Sequence, residues 1–371
     1  MGDIMSFADF YINDTRKQHL NLSQYAWNVI ESDLYLFSNG IEPLKINPFL
    51  NRIFLNYTEA NLFPCNLDQM IAEKKEIYKN AIFSFYSEKD IESITNIIIE
   101  KNDLKDLYQK ISSYQKGIGR KIYIQAETYQ KLISIPSESY IEKLFYKPGK
   151  YLKAIFEEYS KLSYMEREKI YYATILTRIL DAIDLHYTLY IETGNQAYEV
   201  IPYGIFSDHF HTYQYLVGLS RPYHHQYDVD FVCASFRVAR MQSVKTNRND
   251  KRKLTDSEEE ILLSTMKYRE VPFLLNDTMR VKIRFSSKGL QQYQNLLYLR
   301  PPLIQKIDTY TYVFQATFLQ IEAYFFKFGS DIEILEPENI RNHFIEKYQK
   351  ALSKYQNDND KKPTLRAKKD L

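Results

Sequence analysis

At 371 residues, with 44% apolar and 26% charged side chains and a net charge of +2, the chain reads as a soluble globular protein of two or three domains. No apolar run approaches the roughly 18–20 residues of a membrane span. The opening MGDIMSFADF lacks the basic region and long apolar run of a secretory signal. Two distant cysteines, Cys65 and Cys233, argue against a structural zinc site or a disulfide framework.

The expected location is therefore cytoplasmic, with no membrane partner and no cofactor. Gly2 and Ser6 match the loose myristoylation pattern, which chance also produces. With so little net charge, nucleic-acid binding has to come from local patches. The 33 tyrosines offer faces on which bases can stack, but an AT-rich genome would enrich the same residue, so the count assigns nothing.

The N-terminal half contains a repeat. HLNLSQYAWNVI (His19 to Ile30) aligns with KIYIQAETYQKL (Lys121 to Leu132), and LNRIFLNYTE (Leu50 to Glu59) aligns with LKAIFEEYSK (Leu152 to Lys161). One gapless offset sets Leu20, Leu22, Leu50, Ile53, Phe54 and Tyr57 opposite Ile122, Ile124, Leu152, Ile155, Phe156 and Tyr159. Each copy reads as a short strand and two helices. In the first, Leu20 and Leu22 alternate with His19 and Asn21. Ser23 caps a helix from about Gln24 to Phe37, which Gly40 ends. Asn47 as N-cap and Pro48 at the first position open a second helix. In the second copy Pro148 and Gly149 precede the last helix.

A lone short strand must find a partner for its backbone. Strand–helix–helix with that need resembles the ribbon-helix-helix module, in which two units pair strands and lay them in a DNA groove. Two copies on one chain imply an intramolecular pseudo-dimer, with Lys17, His19, Asn21, Lys121, Tyr123 and Gln125 facing outward. The N–H groups of the helix beginning at Asn47 could then meet a phosphate. The alternative is a scaffold that has lost its groove contacts. The chemically different outward sets argue against symmetric readout of a palindrome.

A helical stripe from about Arg167 to Ile183 leads into short alternating strands, with turns at TGNQ and SDHFH and a further strand in FVCASFRVARM. That pattern implies a small, strongly bent antiparallel sheet or barrel. The ordered series IPYGI, QYLVGLS and FRVARM resembles the WYL domain, a Sm-like barrel of bacterial regulators, through Pro202, Tyr215, Leu216, Arg237 and Arg240. Gln214 stands where that family has tryptophan, and Tyr198 and Glu199 replace the usual basic residue.

YLKAIFEEYSKLSYMEREKIYYA, LLYLRPPL and FFKFGSDIEILEP extend the resemblance to the WYL accessory proteins of type VI-D CRISPR systems. The resemblance implies a non-enzymatic homodimer that binds single-stranded RNA and stimulates an RNA-guided CRISPR ribonuclease effector. Other WYL proteins are transcription factors, so a regulator gripping DNA through the N-terminal half is the alternative. Candidate contacts are Arg237, Arg240, Tyr203, Tyr213, Gln214 and Tyr215. Two arginines three apart point to opposite faces of a flat strand, so a bulge or tight curvature is needed to bring them together on one phosphate. Tyr215 serves equally as barrel core.

Asp208, His209 and His211 in SDHFH, with His224 and His225 nearby, form a group that could hold a metal. The plainer reading is a solvated hairpin tip, and we expect no metal. No glycine-rich phosphate loop, nucleophile elbow or HExxH motif occurs, so no enzyme is expected. KTNRNDKRK (Lys245 to Lys253) carries five basic residues against one acidic. It reads as a surface linker that extends a nucleic-acid track or is simply solvated.

The C-terminal region reads as a helix (Asp256 to Lys267), a strand (Val281 to Phe285), a helix (Leu290 to Leu299), further strands and a helix (Glu338 to Tyr355). The resemblance assigns this region to dimerisation.

The expected fold class is α+β: tandem ribbon-helix-helix-like units, a small Sm-like β-barrel and an α/β C-terminal extension. The boundaries are 1–64 for the first unit, 65–117 for a helical connector and 118–183 for the second unit. The barrel follows at 184–246 and the extension at 247–355. The basic tail, 356–371, lacks packing residues and is expected to be disordered.

Overall fold

The computed structural model describes residues 7, 16–38, 42–114, 117–194, 196–208, 212–223, 229–275 and 277–357. Helices and antiparallel sheets are both present, which makes the class α+β. Gly2, Ser6, Gly40, His209, His211, His224, His225 and the tail 358–371 lie outside the described residues. The chain divides into two compact units. One runs to Thr177 and includes Val238–Arg240; the other holds Arg178–Arg237 and the chain from Met241 onward.

The first unit is built around the repeat. Strand β1 (Lys17–Leu22) and helices α1 (Gln24–Leu36) and α2 (Ile46–Glu59) form the first copy. Helices α3 (Leu67–Ile82), α4 (Glu88–Ile98) and α5 (Leu104–Ser112) follow, the last two joined by one wide helical turn at Ile99–Asp103. The second copy comprises β2 (Ile118–Tyr123), α6 (Ala126–Ile133), the short α7 (Tyr140–Phe145) and α8 (Pro148–Lys161). Helices α9 (Tyr164–Tyr171) and α10 (Ala173–Asp184) complete the helical half. The offset that aligns the sequences also aligns the helix starts, Gln24 with Ala126 and Ile46 with Pro148.

Strands β1 and β2 pair antiparallel, with Lys17 opposite Tyr123 and His19 opposite Lys121. Leu20, Leu22, Ile122 and Ile124 are buried beneath this ribbon. Lys17, His19, Asn21, Lys121, Tyr123 and Gln125 are exposed on it. At the start of α8, Gly149 lies against the Gln18 side chain of β1, where a Cβ would stand 2.4 Å from the amide nitrogen.

The helix caps tie the copies together. Ser23 Oγ accepts the Ala26 N–H as an N-cap, 3.1 Å away. The Ser23 N–H and hydroxyl both donate to the buried carboxylate of Glu157 on α8, at 2.6 and 2.8 Å. At the equivalent corner, the Gln125 N–H donates to Asn51 Oδ1 on α2 at 2.8 Å, and Asn51 Nδ2 donates to the Tyr123 carbonyl at 3.0 Å. Helix α2 accordingly begins at Ile46 after Lys45, rather than at a cap on Asn47. The Asn47 carboxamide is engaged elsewhere, accepting the Tyr123 N–H at 3.3 Å. Deeper in the unit, fully buried Asp33 receives Arg167 on both oxygens and the Tyr159 hydroxyl at 2.8 Å.

The second unit opens with β3 (Tyr187–Thr193), β4 (Gln196–Ser207), β5 (Gln214–Pro222), β6 (Val232–Arg237) and β7 (Met241–Lys251). They form an antiparallel sheet in the order β6-β5-β4-β3-β7. Register shifts, one of them between Pro202 and Gly204, mark irregular points in its ladders. No closed barrel is found among the described residues, because β6 and β7 end the sheet without pairing each other.

Helix α11 (Asp256–Arg269), started by a Thr255–Glu258 capping box, covers part of one sheet face. There Leu262 joins Ile201, Val217 and Leu219 in a common core. KTNRNDKRK is no linker: most of it is the edge strand β7, paired to β3.

A second antiparallel sheet, in the order β11-β8-β10-β9, contains β8 (Thr278–Phe285), β9 (Leu303–Lys306), β10 (Thr311–Thr317) and β11 (Ile332–Glu336). Helices α12 (Ser287–Asn295), α13 (Phe318–Phe325) and α14 (Glu338–Asn357) accompany it. Phe285, Phe314, Phe325 and Phe344 lie in its aromatic core. Helix α12 stops short of the expected Leu299, where the Arg300 guanidinium reaches back to carbonyls of the last turn.

Replacing Glu157 by Ala strands two buried donors on Ser23. Urea denaturation should show a loss of about 3 kcal/mol at about 1–3 kcal/mol per stranded group. A loss below about 1 kcal/mol would mean that the shared cap does not hold the copies together.

Candidate nucleic-acid interface

The end of the five-stranded sheet where β5 begins gathers most of the expected contact residues. Asp208, buried after β4, accepts the Thr212 N–H at 2.5 Å and the Tyr213 N–H at 3.4 Å. Its own N–H donates to the Tyr213 carbonyl at 3.2 Å. Asp208 therefore closes the turn and aims Tyr213. The histidines with which it was grouped lie outside the described residues. Among those described, no three His, Cys, Asp or Glu side chains assemble to hold a metal.

The Arg237 guanidinium lies 3.5 Å from the centre of the Tyr213 ring, the closest cation–ring approach described in the chain. Arg237 ends β6 and sits directly opposite Tyr215 of β5. The break that follows is a three-residue helical turn, Val238–Arg240, rather than a bulge. Arg240 is exposed at the end of that turn and belongs to the first unit, whereas Arg237 belongs to the second.

The remaining aromatics divide by environment. Tyr215 is half-buried and packs against the core under α11. Tyr203 also packs there, stacked on Phe206 at 6.0 Å with nearly parallel rings. Its hydroxyl donates to Glu259 at 2.9 Å, and that bond, with some burial, raises the phenol above its ordinary range. Gln214 is buried at the start of β5. Tyr213 is the tyrosine whose ring lies under an arginine of the motif, Arg237.

Sequence reasoning missed Tyr298, which precedes β9. Its phenol is pushed up by burial first and then by the charges of Asp208, Tyr213 and Glu270. Lys327 approaches its ring at 5.4 Å, and partial desolvation lowers that ammonium. No local pattern signals Tyr298, because its neighbour Tyr213 is distant along the chain.

On the ribbon, exposed Asn21 accepts the Gly117 N–H at 3.0 Å. The imidazole of His19 covers Gly119, where a Cβ would meet it at 2.2 Å.

No protein-family model matches the chain, and no curated protein matches it. A solved structure described as "Crystal structure of a CRISPR Cas-related protein" is similar over 92% of this chain and 94% of its own, with 22% identity and a TM-score of 0.66. At that identity the likeness shows a shared fold. Proteasome accessory factor B/C (PafBC) of Arthrobacter aurescens overlaps 61% of this chain and 35% of its own, with 15% identity and a TM-score of 0.28, too low to support an argument.

Tyr203→Phe should cost about 1 kcal/mol in a denaturant titration, through loss of the bond to Glu259. An unchanged midpoint would show that the phenol is not engaged there.

Proposed function

We propose that the chain is a non-catalytic WYL-type regulatory protein that binds single-stranded RNA and stimulates an RNA-guided CRISPR ribonuclease. The observation that carries this reading is Arg237 laid on Tyr213 at the open end of the sheet. A guanidinium held over a ring can still offer donors to a phosphate, and the ring belongs to the residue type on which unpaired bases stack. The fold shared with a CRISPR Cas-related protein supports the biological setting.

In this reading the five-stranded sheet is an open variant of the Sm-like WYL barrel. The paired strands β1 and β2 with their helices are a ribbon-helix-helix-like pseudo-dimer. The homodimer uses the C-terminal sheet, whose edge strand β9 exposes Leu303 and Ile304. The protein acts in the cytoplasm, without a cofactor.

A second reading, a transcriptional regulator on duplex DNA, is favoured by the exposed ribbon side chains Lys17, His19, Lys121 and Tyr123. Filter binding over a salt series separates the two. We expect single-stranded RNA to be held more tightly than duplex DNA of the same sequence. Arg237→Ala should weaken RNA binding about tenfold and flatten the salt slope by about 0.7, the single-strand value for one phosphate contact. Tighter binding of duplex DNA, with the slope unmoved by Arg237→Ala, would overturn the RNA reading.

A further inference from the structure

The opposite end of β5 carries a row of side chains that neither the WYL motif nor the ribbon accounts for. Across four strands, Lys245 of β7 stands opposite Tyr190 of β3, Tyr190 opposite Glu199 of β4, and Glu199 opposite Arg221 of β5. Directly opposed residues project from the same face of a sheet. These four therefore form one line of about 14 Å, three strand spacings.

Rings from neighbouring positions join the charges of this line. The Lys245 ammonium approaches the Tyr190 ring at 5.7 Å, and exposed Tyr223 meets Tyr190 edge-on at 4.5 Å. Arg221, held by Glu199 at 2.8 Å, lies over Phe231 at 4.6 Å. Arg252, held by Glu258 at 2.8 Å, approaches the same ring at 4.6 Å. The row from Lys245 through Tyr190 with Tyr223, Glu199, Arg221 and Phe231 to Arg252 thus interleaves three cations with three rings and one carboxylate, which is paired to Arg221. Lys251, 4.9 Å from the Tyr187 ring, belongs to the other face, because Tyr187 is three residues from Tyr190 on the same strand.

Helix α11 covers the neighbouring part of this face through Leu262, whereas Lys245 and Tyr223 remain exposed. Glu199 and Glu258 each bond an arginine and Glu192 bonds the Tyr190 hydroxyl, so Lys245 is the cation of the edge strand that this face presents.

We propose that this row is a second single-stranded RNA track, separate from the Arg237–Tyr213 end, on which bases stack against Tyr190 and Tyr223 while the cations follow the phosphates. The proposal rests on the RNA reading above. Its chemistry selects single strands, because rings lying on a sheet can stack only bases already released from pairing. Arg237 lies opposite Tyr215, six positions before Arg221, which puts the two sites about 20 Å apart along β5. One strand of RNA would then engage both ends of the sheet.

Fluorescence anisotropy of the full chain with a labelled 20-nucleotide single-stranded RNA tests this. The double substitution Tyr190→Ala with Tyr223→Ala should weaken binding about tenfold, and Tyr190→Phe should hold it within about twofold, since the ring does the stacking. Lys245→Glu alters only an exposed side chain and should both weaken binding and flatten the salt slope by about 0.7, the value for one contact. Full affinity in the double-alanine variant and in Lys245→Glu, with Arg237→Ala still weakening binding, would overturn the second track alone. Failure of the unsubstituted chain to bind the RNA would overturn both readings. Tighter binding of single-stranded DNA of the same sequence would overturn the assignment to RNA.

Discussion

The N-terminal unit depends on an exchange of helix caps. In each repeat, the backbone at the start of the first helix is satisfied by the second helix of the other repeat. Glu157 serves Ser23, and Asn51 serves Gln125. Ser23 and Glu157 are buried, so the copies cannot part there without breaking charge-assisted bonds, whereas the Gln125 corner is only partly shielded. The β1–β2 ribbon is thereby pinned from below, and its outward residues are presented on a rigid base. Divergence of the two copies shows here as chemistry: one corner uses a carboxylate and the other a carboxamide.

The second unit solves a different problem. An open antiparallel sheet exposes edges and one face, and α11 covers only part of it. Charged residues along β7 blunt one edge, as edge strands require. Among them Lys245 stands beside Tyr190 on the face that α11 covers only in part. Blunting an edge and following a phosphate chain call for the same residue types, so the proposed track draws on residues that the edge strand needs in any case.

Asp208 is committed to the N–H groups of Thr212 and Tyr213, and the Tyr213 ring lies under the Arg237 guanidinium. Tyr203 and Tyr215, equally tyrosines of the motif, are drawn into the core, one by Glu259 and the other by the strand pleat.

What the sequence determined by itself was local or periodic. Ser23 as a cap, the alternation of Leu20 and Leu22, the apolar stripe through Tyr57 and the doubled unit all follow from short-range spacing, and each is present. The α+β class and the strands around Pro202 and Tyr215 were legible for the same reason. Tertiary structure decided whatever depended on partners far along the chain. Asn47 is diverted from capping by Tyr123, the basic run becomes strand through pairing with β3, and the arginine motif is split by a turn that places Arg237 and Arg240 in different units. The row from Lys245 to Arg252 is invisible in sequence because sheet register, not chain order, brings its members into line. Periodicity is written in neighbouring residues, whereas register is settled only when strands compete for the same backbone partners.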